Sequence, residues 1–278
     1  AQYMRETYDV SNEKTALAIT IANREKALLQ DLDYENGYSL YVGIPFCPSI
    51  CLYCSFGSHP LERWTKRVDE YLDALCKELT FIREEMGERK LTTVYIGGGT
   101  PTTLEPEQLR RLLSHIQTTF DFTWVKEYTV EAGRPDSITR EKLQVMKEFP
   151  VTRISVNPQT MNQKTLDVIG RKHTVEDTVN IFHMARELGF DNINMDLIIG
   201  LPGEGKEEVA HTLQKVENLH PDSLTIHSLA LKRATRLNLF KDKYEEMSFE
   251  NSQEIMEMTQ QCARIMGLGA YYLYRQKN

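Results

Sequence analysis

The sequence predicts an α/β fold built on a parallel sheet, and two observations carry that prediction. Short apolar runs of strand length recur at 40–46, 93–96, 128–132, 153–156, 193–199 and 224–229, and helical patterns fill the intervals at 66–86, 105–118, 139–147, 174–188 and 204–219. Strands spaced by helices of this length are joined by right-handed βαβ crossovers, which lay the strands parallel. Six such units make an open or partial barrel. Periodicity alone does not separate that from a doubly wound sheet or a full barrel of eight strands.

Composition bounds the rest. The 278 residues suffice for one large α/β domain with a substantial core. Lysine and arginine number 33 against 40 aspartates and glutamates, a net charge of −7, which argues against a chain built mainly to coat nucleic acid or an anionic membrane. No apolar run reaches transmembrane length and the N-terminus lacks a signal pattern, so a soluble cytoplasmic protein is expected. Five cysteines, three of them too closely spaced for a disulfide framework, fit a reducing compartment. The start at Ala1 and the stop at Asn278, without a turn or tail, read as those of a fragment.

In chain order, residues 1–38 form a helical segment ahead of the sheet. Asn12-Glu13-Lys14 and the apolar recurrence through Leu17, Ile19, Ile21, Ala27 and Leu28 predict one amphipathic helix, ending before Asn36-Gly37 and packed as an appendage. The first strand then runs into Ile44-Pro45-Phe46-Cys47-Pro48-Ser49-Ile50-Cys51-Leu52-Tyr53-Cys54, with Cys47, Cys51 and Cys54 at i, i+4 and i+7 on a loop opened by prolines. Thiolates are soft ligands that suit zinc, copper(I) or iron–sulfur clusters. Zinc would want a fourth ligand close by, for which His59 is the nearest candidate. A [4Fe–4S] cubane held by three cysteines instead keeps one iron open for a small molecule.

The second strand breaks at Gly97-Gly98-Gly99-Thr100-Pro101, a glycine run that either lets backbone approach a ligand or makes a tight turn. It lacks the Lys-Ser/Thr of a phosphate loop. The third strand ends on Glu131, an acid in an apolar run that needs a ligand or a partner such as Arg134 or Arg153. The fourth delivers Asn157-Pro158-Gln159, and Arg171 follows beside Lys172, as a carboxylate ligand or a surface charge. The fifth places Asp196 among apolar residues. The sixth leads to Ala230, then to Lys232 and Arg233, a solvated basic turn or a pair for substrate carboxylates. Cys76 and Cys262 sit in helical patterns as small core residues, and 271–275 reads as a candidate seventh strand.

The CxxxCxxC motif, with Tyr41, Ile44-Pro45-Phe46 and Leu52-Tyr53-Cys54-Ser55-Phe56 around it, resembles the radical S-adenosylmethionine (SAM) enzymes, in the oxygen-independent coproporphyrinogen III oxidase (coproporphyrinogen dehydrogenase) branch. The resemblance implies a partial (β/α)6 TIM-like barrel of the radical SAM type with an N-terminal helical extension, whose ligand site lies at the C-terminal ends of the strands. It divides the chain into the helical segment 1–38, a core barrel at 39–230 and the start of a C-terminal region at 231–278. It implies Cys47, Cys51 and Cys54 as ligands of a [4Fe–4S] cluster whose open iron chelates the amino and carboxylate groups of SAM. Tyr41 and Tyr53 would flank the methionyl end, and Gly98, Gly99 and Thr100 would hydrogen-bond it. Glu131 would take the ribose hydroxyls with Gln159 beside it, Arg171 would lie near the SAM carboxylate, and Asp196 would be a further contact. Ala230 matches a position that touches a second SAM, so one or two SAM molecules are implied. Asn157-Pro158 departs from the Gly-Val usual there and marks a distinct subgroup.

The chemistry so implied is oxidative decarboxylation of coproporphyrinogen III propionates to vinyl groups, giving protoporphyrinogen IX, a step of haem biosynthesis. One electron from the cluster cleaves SAM to methionine and a 5′-deoxyadenosyl radical, which abstracts a hydrogen from a propionate β-carbon. Loss of carbon dioxide and one more electron leaves the vinyl group. The electron donor implied is a flavodoxin or ferredoxin, and the protein's share is orientation and exclusion of water. Close relatives that carry haem to apoproteins keep the cluster motif, and a radical SAM enzyme acting on another tetrapyrrole is a further alternative.

Overall fold

The structure is a computed structural model and describes residues 1–55, 59–233, 235–244 and 249–272. Its main sheet holds six parallel strands in sequence order: β1 (Gly37–Ile44), β2 (Lys90–Gly98), β3 (Glu127–Gly133), β4 (Arg153–Val156), β5 (Ile193–Ile199) and β6 (Ser223–Ser228). Each strand pairs with its sequence neighbours, from Leu40 beside Val94 to Asp196 beside Thr225. The reversal of strand order that defines a doubly wound sheet does not occur. Among the described residues β1 and β6 are each paired on one side, so the sheet curls into an open half-barrel and not a closed eight-strand one.

The helices are α1 (Gln2–Tyr8), α2 (Asn12–Gln30), α3 (Val68–Met86), α4 (Pro106–Thr119), α5 (Arg140–Lys147), α6 (Val175–Glu187), α7 (Lys206–Leu219) and α8 (Gln253–Ile265), with shorter turns between. One crossover helix shows why the pattern folds this way. In α4, Leu109, Leu112, Leu113 and Ile116 fall on one stripe and are fully buried. Its start is set by Pro106 in the first turn and by a capping box between Glu105 and Gln108. On the strands, alternate side chains divide between two faces. Leu40, Val42 and Ile44 of β1 and Val94 and Ile96 of β2 enter the helix-covered core, whereas Tyr41 and Tyr95 between them stay exposed. The concave face is thereby left to aromatic and polar groups.

Two sequence readings need correction. The single N-terminal helix is two, α1 and α2, separated where Asp9 turns left-handed (φ 53°) and Ser11 caps α2 by accepting from the Lys14 N–H at 3.2 Å. Nor is α2 an amphipathic packing helix of the usual kind. Only Thr15 and Ile21 are buried, while Ile19, Leu28 and Leu29 face solvent. It ends at Gln30, ahead of a turn in which the Asp33 carboxylate accepts from the Asn36 N–H. The proposed strand at 271–275 lies largely outside the described residues; Tyr271 and Tyr272 are described and are in no strand.

Candidate active site

The C-terminal ends of the strands bring the cysteine loop, the glycine loop and a polar network together. Beyond β1, a two-residue strand, Phe46–Cys47, pairs with His59–Pro60, so the cysteine loop leaves and returns beside the mouth. The glycine loop is stitched to it: the Gly99 N–H donates to Ile44 O at 2.7 Å and the Thr100 N–H to Phe46 O at 2.8 Å. The Thr100 hydroxyl reaches Cys47 Sγ at 3.6 Å. Here glycine is obligatory at two points. Gly98 has φ 100°, and a Cβ on Gly99 would stand 2.5 Å from Phe46 O and 3.0 Å from Cys47 Sγ. Gly99→Ala is therefore expected to cost about 1–3 kcal/mol, because the nearest obstacle, Phe46 O, is backbone that cannot rotate away. A urea melt checks this, with lower iron uptake as the second readout.

Cys47 and Cys51 are buried and Cys54, one turn on, is half-buried. Among the described residues no three His, Cys, Asp or Glu side chains converge as a single metal ion would require. A cubane asks for something else, since each thiolate takes a different iron. His59, the candidate fourth zinc ligand, is exposed and packs on the Trp64 ring with centroids 5.1 Å apart.

The acids lie across the concave face from this loop. Glu131, on β3, accepts from the Tyr95 hydroxyl, from Ser155 Oγ at 2.9 Å and from Asn157 Nδ2 at 2.9 Å. Arg153 pairs with Glu127 and Arg134 with Asp136, so neither is the partner that the sequence left open for Glu131. Asp196, on β5, accepts from Asn194 Nδ2 at 2.7 Å. Burial pushes the pKa values of both Glu131 and Asp196 up, and the Asp196 charge adds to the effect on Glu131. Two acids held above their ordinary range on one sheet face are the kind of group that functional sites gather.

Arg171 completes the network and is no surface charge. It is buried, donates from Nη1 to Asn157 O at 2.6 Å and from Nη2 to the Tyr53 hydroxyl at 3.2 Å, and its Nε has no hydrogen-bond partner among the described residues. Tyr53 thus ties the cysteine loop to Arg171, and burial raises its phenol pKa. Gln159 is buried at the same mouth in a left-handed conformation (φ 68°), its backbone bonded to Asp196 O and the Ile198 N–H. Tyr41 stacks on Tyr95 with ring centroids 5.9 Å apart.

Ala230, Lys232 and Arg233 stand further out. Ala230 is half-buried beyond β6, and the carbonyl of Lys232 accepts from the Thr235 N–H and hydroxyl. The segment nonetheless returns to the cysteine loop, where Leu237 donates its N–H to Leu52 O at 2.9 Å and joins Leu52, Leu166, Ile169, Ile198 and Leu201 in a small apolar cluster.

Three participants escaped the sequence reading. Tyr95 lies within the run 93–96 and was not singled out, though strict alternation places it on the same face as Thr93 and away from Val94 and Ile96. Asn157 appeared only as a departure from the family pattern, yet it is the hub of the network. Its side chain contacts Glu131 and accepts from the Asp196 N–H at 3.2 Å, and its carbonyl accepts from Arg171. Arg134 appeared only as a counter-ion for Glu131.

Comparison with known proteins bears on this geometry. The radical SAM superfamily model matches residues 41–216. The chain is 43% identical over 279 residues to the oxygen-independent coproporphyrinogen-III oxidase-like protein HemZ of Bacillus subtilis, covering 99% of this chain and 56% of that protein. It is 38% identical over 198 residues to the heme chaperone HemW of the same organism, covering 71% and 52%. The solved structure of coproporphyrinogen III oxidase (HemN) from Escherichia coli superimposes with a TM-score of 0.74 at 28% identity, over 87% of this chain and 55% of that one. The chain spans about half the length of the curated relatives it matches. Because the family match runs from β1 into α7, taking in the cysteine loop and every acid of the mouth, the chain belongs to the radical SAM superfamily, where its relatives carry coproporphyrinogen III oxidase, oxidase-like and heme chaperone names.

Proposed function

We propose that this chain is the catalytic core of a radical SAM enzyme that oxidatively decarboxylates propionate side chains of coproporphyrinogen III to vinyl groups. The family implies a [4Fe–4S] cluster and SAM, and the residues present fit both. The observation that carries the reading is the continuous hydrogen-bonded path from the cysteine loop through Tyr53, Arg171 and Asn157 to Glu131 and Asp196. It sets thiols at one end and two acids at the other, with a cationic fork between them whose Nε is unspent among the described residues. The names of the relatives supply the substrate class.

Cys47, Cys51 and Cys54 would hold the cluster, and Tyr41, Tyr53 and the Gly98-Gly99-Thr100 loop would border the methionyl end of SAM. Glu131, Gln159 and Asp196 would orient the nucleoside, and Arg171 the carboxylate. Ala230 would border a second SAM, and Lys232 and Arg233 would meet substrate carboxylates. When bound, cluster and SAM supply a radical able to remove a hydrogen atom from the propionate β-carbon. The chain's own work is to hold that carbon's approach fixed and dry. The stacked Tyr41 and Tyr95 rings wall the concave face, and Glu131 is kept ready to accept ribose hydroxyls by donors already aligned on it. Loss of carbon dioxide and transfer of one electron to an acceptor outside this chain would then complete each vinyl group, with a flavodoxin or ferredoxin of the cytoplasm as the donor that primes the cycle.

A second reading is haem carriage, favoured by the 38% identity to a heme chaperone. The test is anaerobic reconstitution, then reduction with SAM and coproporphyrinogen III. Formation of 5′-deoxyadenosine with loss of two carboxyl groups by mass spectrometry is the expected result. Tight haem binding without either product would favour carriage, and deoxyadenosine with an unchanged tetrapyrrole would point to another substrate.

A further inference from the structure

Beneath the cysteine loop lies a charge pair that the network above does not use. Arg134 is 4% exposed, and its guanidinium is spent on two targets. Nε and Nη2 grip the Asp136 carboxylate at 3.0 and 2.7 Å. Nη1 points the other way, donating to Ser49 O and Ser49 Oγ at 2.9 Å each and standing 3.6 Å from Cys51 Sγ. A buried ion pair is poor evidence of stability, since a well-packed apolar pair of the same volume is commonly as stable. A fork aimed at a sulfur has another use. N–H donors and positive charge beside a ligand thiolate stabilise the reduced, more negative state of an iron–sulfur cluster and so raise its potential. Cys51 also feels the Arg171 charge and the Tyr53 hydroxyl, whereas Cys47, the other buried thiol of the loop, is met among the described residues by the neutral Thr100 hydroxyl. Nearby His173 is buried with neither ring nitrogen hydrogen-bonded among the described residues, and burial with the Arg171 charge lowers its pKa to about 4, so it adds no charge of its own near neutral pH.

We propose that Arg134 and Asp136 are positioning residues that set the reduction potential of the cluster through Cys51: Arg134 raises it and Asp136 partly offsets that rise. The inference rests on the reading that Cys47, Cys51 and Cys54 hold a [4Fe–4S] cluster. Opposed charges make opposed predictions, which a merely structural pair would not.

The experiment is a redox titration of the reconstituted chain, followed by the electron paramagnetic resonance signal of the reduced cluster, for the wild type, Arg134→Gln and Asp136→Asn. Arg134→Gln is expected to move the midpoint to more negative potential and Asp136→Asn to more positive potential. Unchanged midpoints with the signal intact, or two shifts of the same sign as a loosened, wetter loop would give, overturn the proposal. Should Arg134→Gln fail to take up iron, Arg134→Lys, which keeps the charge and loses the fork, stands in for it: a negative shift beside a positive one for Asp136→Asn supports the pair, and any other result overturns it. A wild-type chain without the signal, or a signal that survives Cys51→Ala, sinks the cluster assignment and this proposal with it. An intact, cysteine-dependent signal with unmoved midpoints sinks the tuning alone.

Discussion

A Cys54→Ala chain, reconstituted without oxygen beside the wild type, is expected to lack the brown cluster absorbance and to form no 5′-deoxyadenosine from SAM. Loss of an outer-shell group around a metal site costs ~10–100-fold in affinity, and loss of a ligand should exceed the upper end of that range. Cys54 gives the cleanest test of the three. Cys47 and Cys51 are buried, so truncating either also disturbs packing, whereas Cys54 is half-buried and its backbone turn, the N–H donating to Cys51 O at 3.2 Å, survives the change to alanine. Cys262→Ala is the matched control. That thiol sits inside the α7–α8 packing, 3.8 Å from Leu213 O, far in sequence from the loop. Its loss should lower the melting point and leave the iron content unchanged. Iron and sulfide analysis reads both variants, and a Cys54→Ala chain that keeps its iron overturns the ligand assignment.

The sequence was informative wherever a local pattern carried the answer. Residues 153–156 and 193–199 were read with the bounds that β4 and β5 have, because each is a short buried run closed by turn residues. Glu131, Asp196 and the cysteines stood out because a charged or metal-binding side chain at the end of an apolar run needs a reason to be there. Strand order was another matter. Periodicity is a property of ten residues at a time, whereas the choice between a wound sheet and a half-barrel lies in which strands become neighbours, and only the family resemblance supplied it. Arg134 was hidden for the same reason, since its contact with Cys51 spans 83 positions. The N-terminal helices were misread from the opposite error. The apolar positions counted, Leu17 to Leu28, all lie within α2, so α1 went unread, and Ile19 and Leu28 among them face solvent.

Glu131→Gln is expected to make the SAM-free chain melt at a higher temperature near neutral pH while weakening SAM binding by ~10–150-fold, the worth of one hydrogen bond to a charged group. Both effects come from one cause. Burial and the Asp196 charge hold the folded-state pKa of Glu131 above its unfolded value of about 4.3. The folded state therefore binds the proton more tightly than the unfolded one, and stability falls as pH rises from about 4 through the folded pKa. At neutral pH an ionised Glu131 destabilises the empty site, and glutamine removes that burden. It also fits the same partners. Its amide oxygen can face Asn157 Nδ2, and its NH2 can donate to the hydroxyls of Tyr95 and Ser155, which rotate to accept. The melting advantage of the variant should therefore shrink below pH ~4, where the native acid is protonated in both states. SAM reverses the preference. Ribose hydroxyls donate to the carboxylate and favour the ionised form, so wild-type affinity should rise with pH through the folded pKa and the affinity of the variant should stay flat. Thermal scans and calorimetric SAM titrations across pH test this. A variant that melts lower at neutral pH and binds SAM as tightly as the wild type would place Glu131 outside the site.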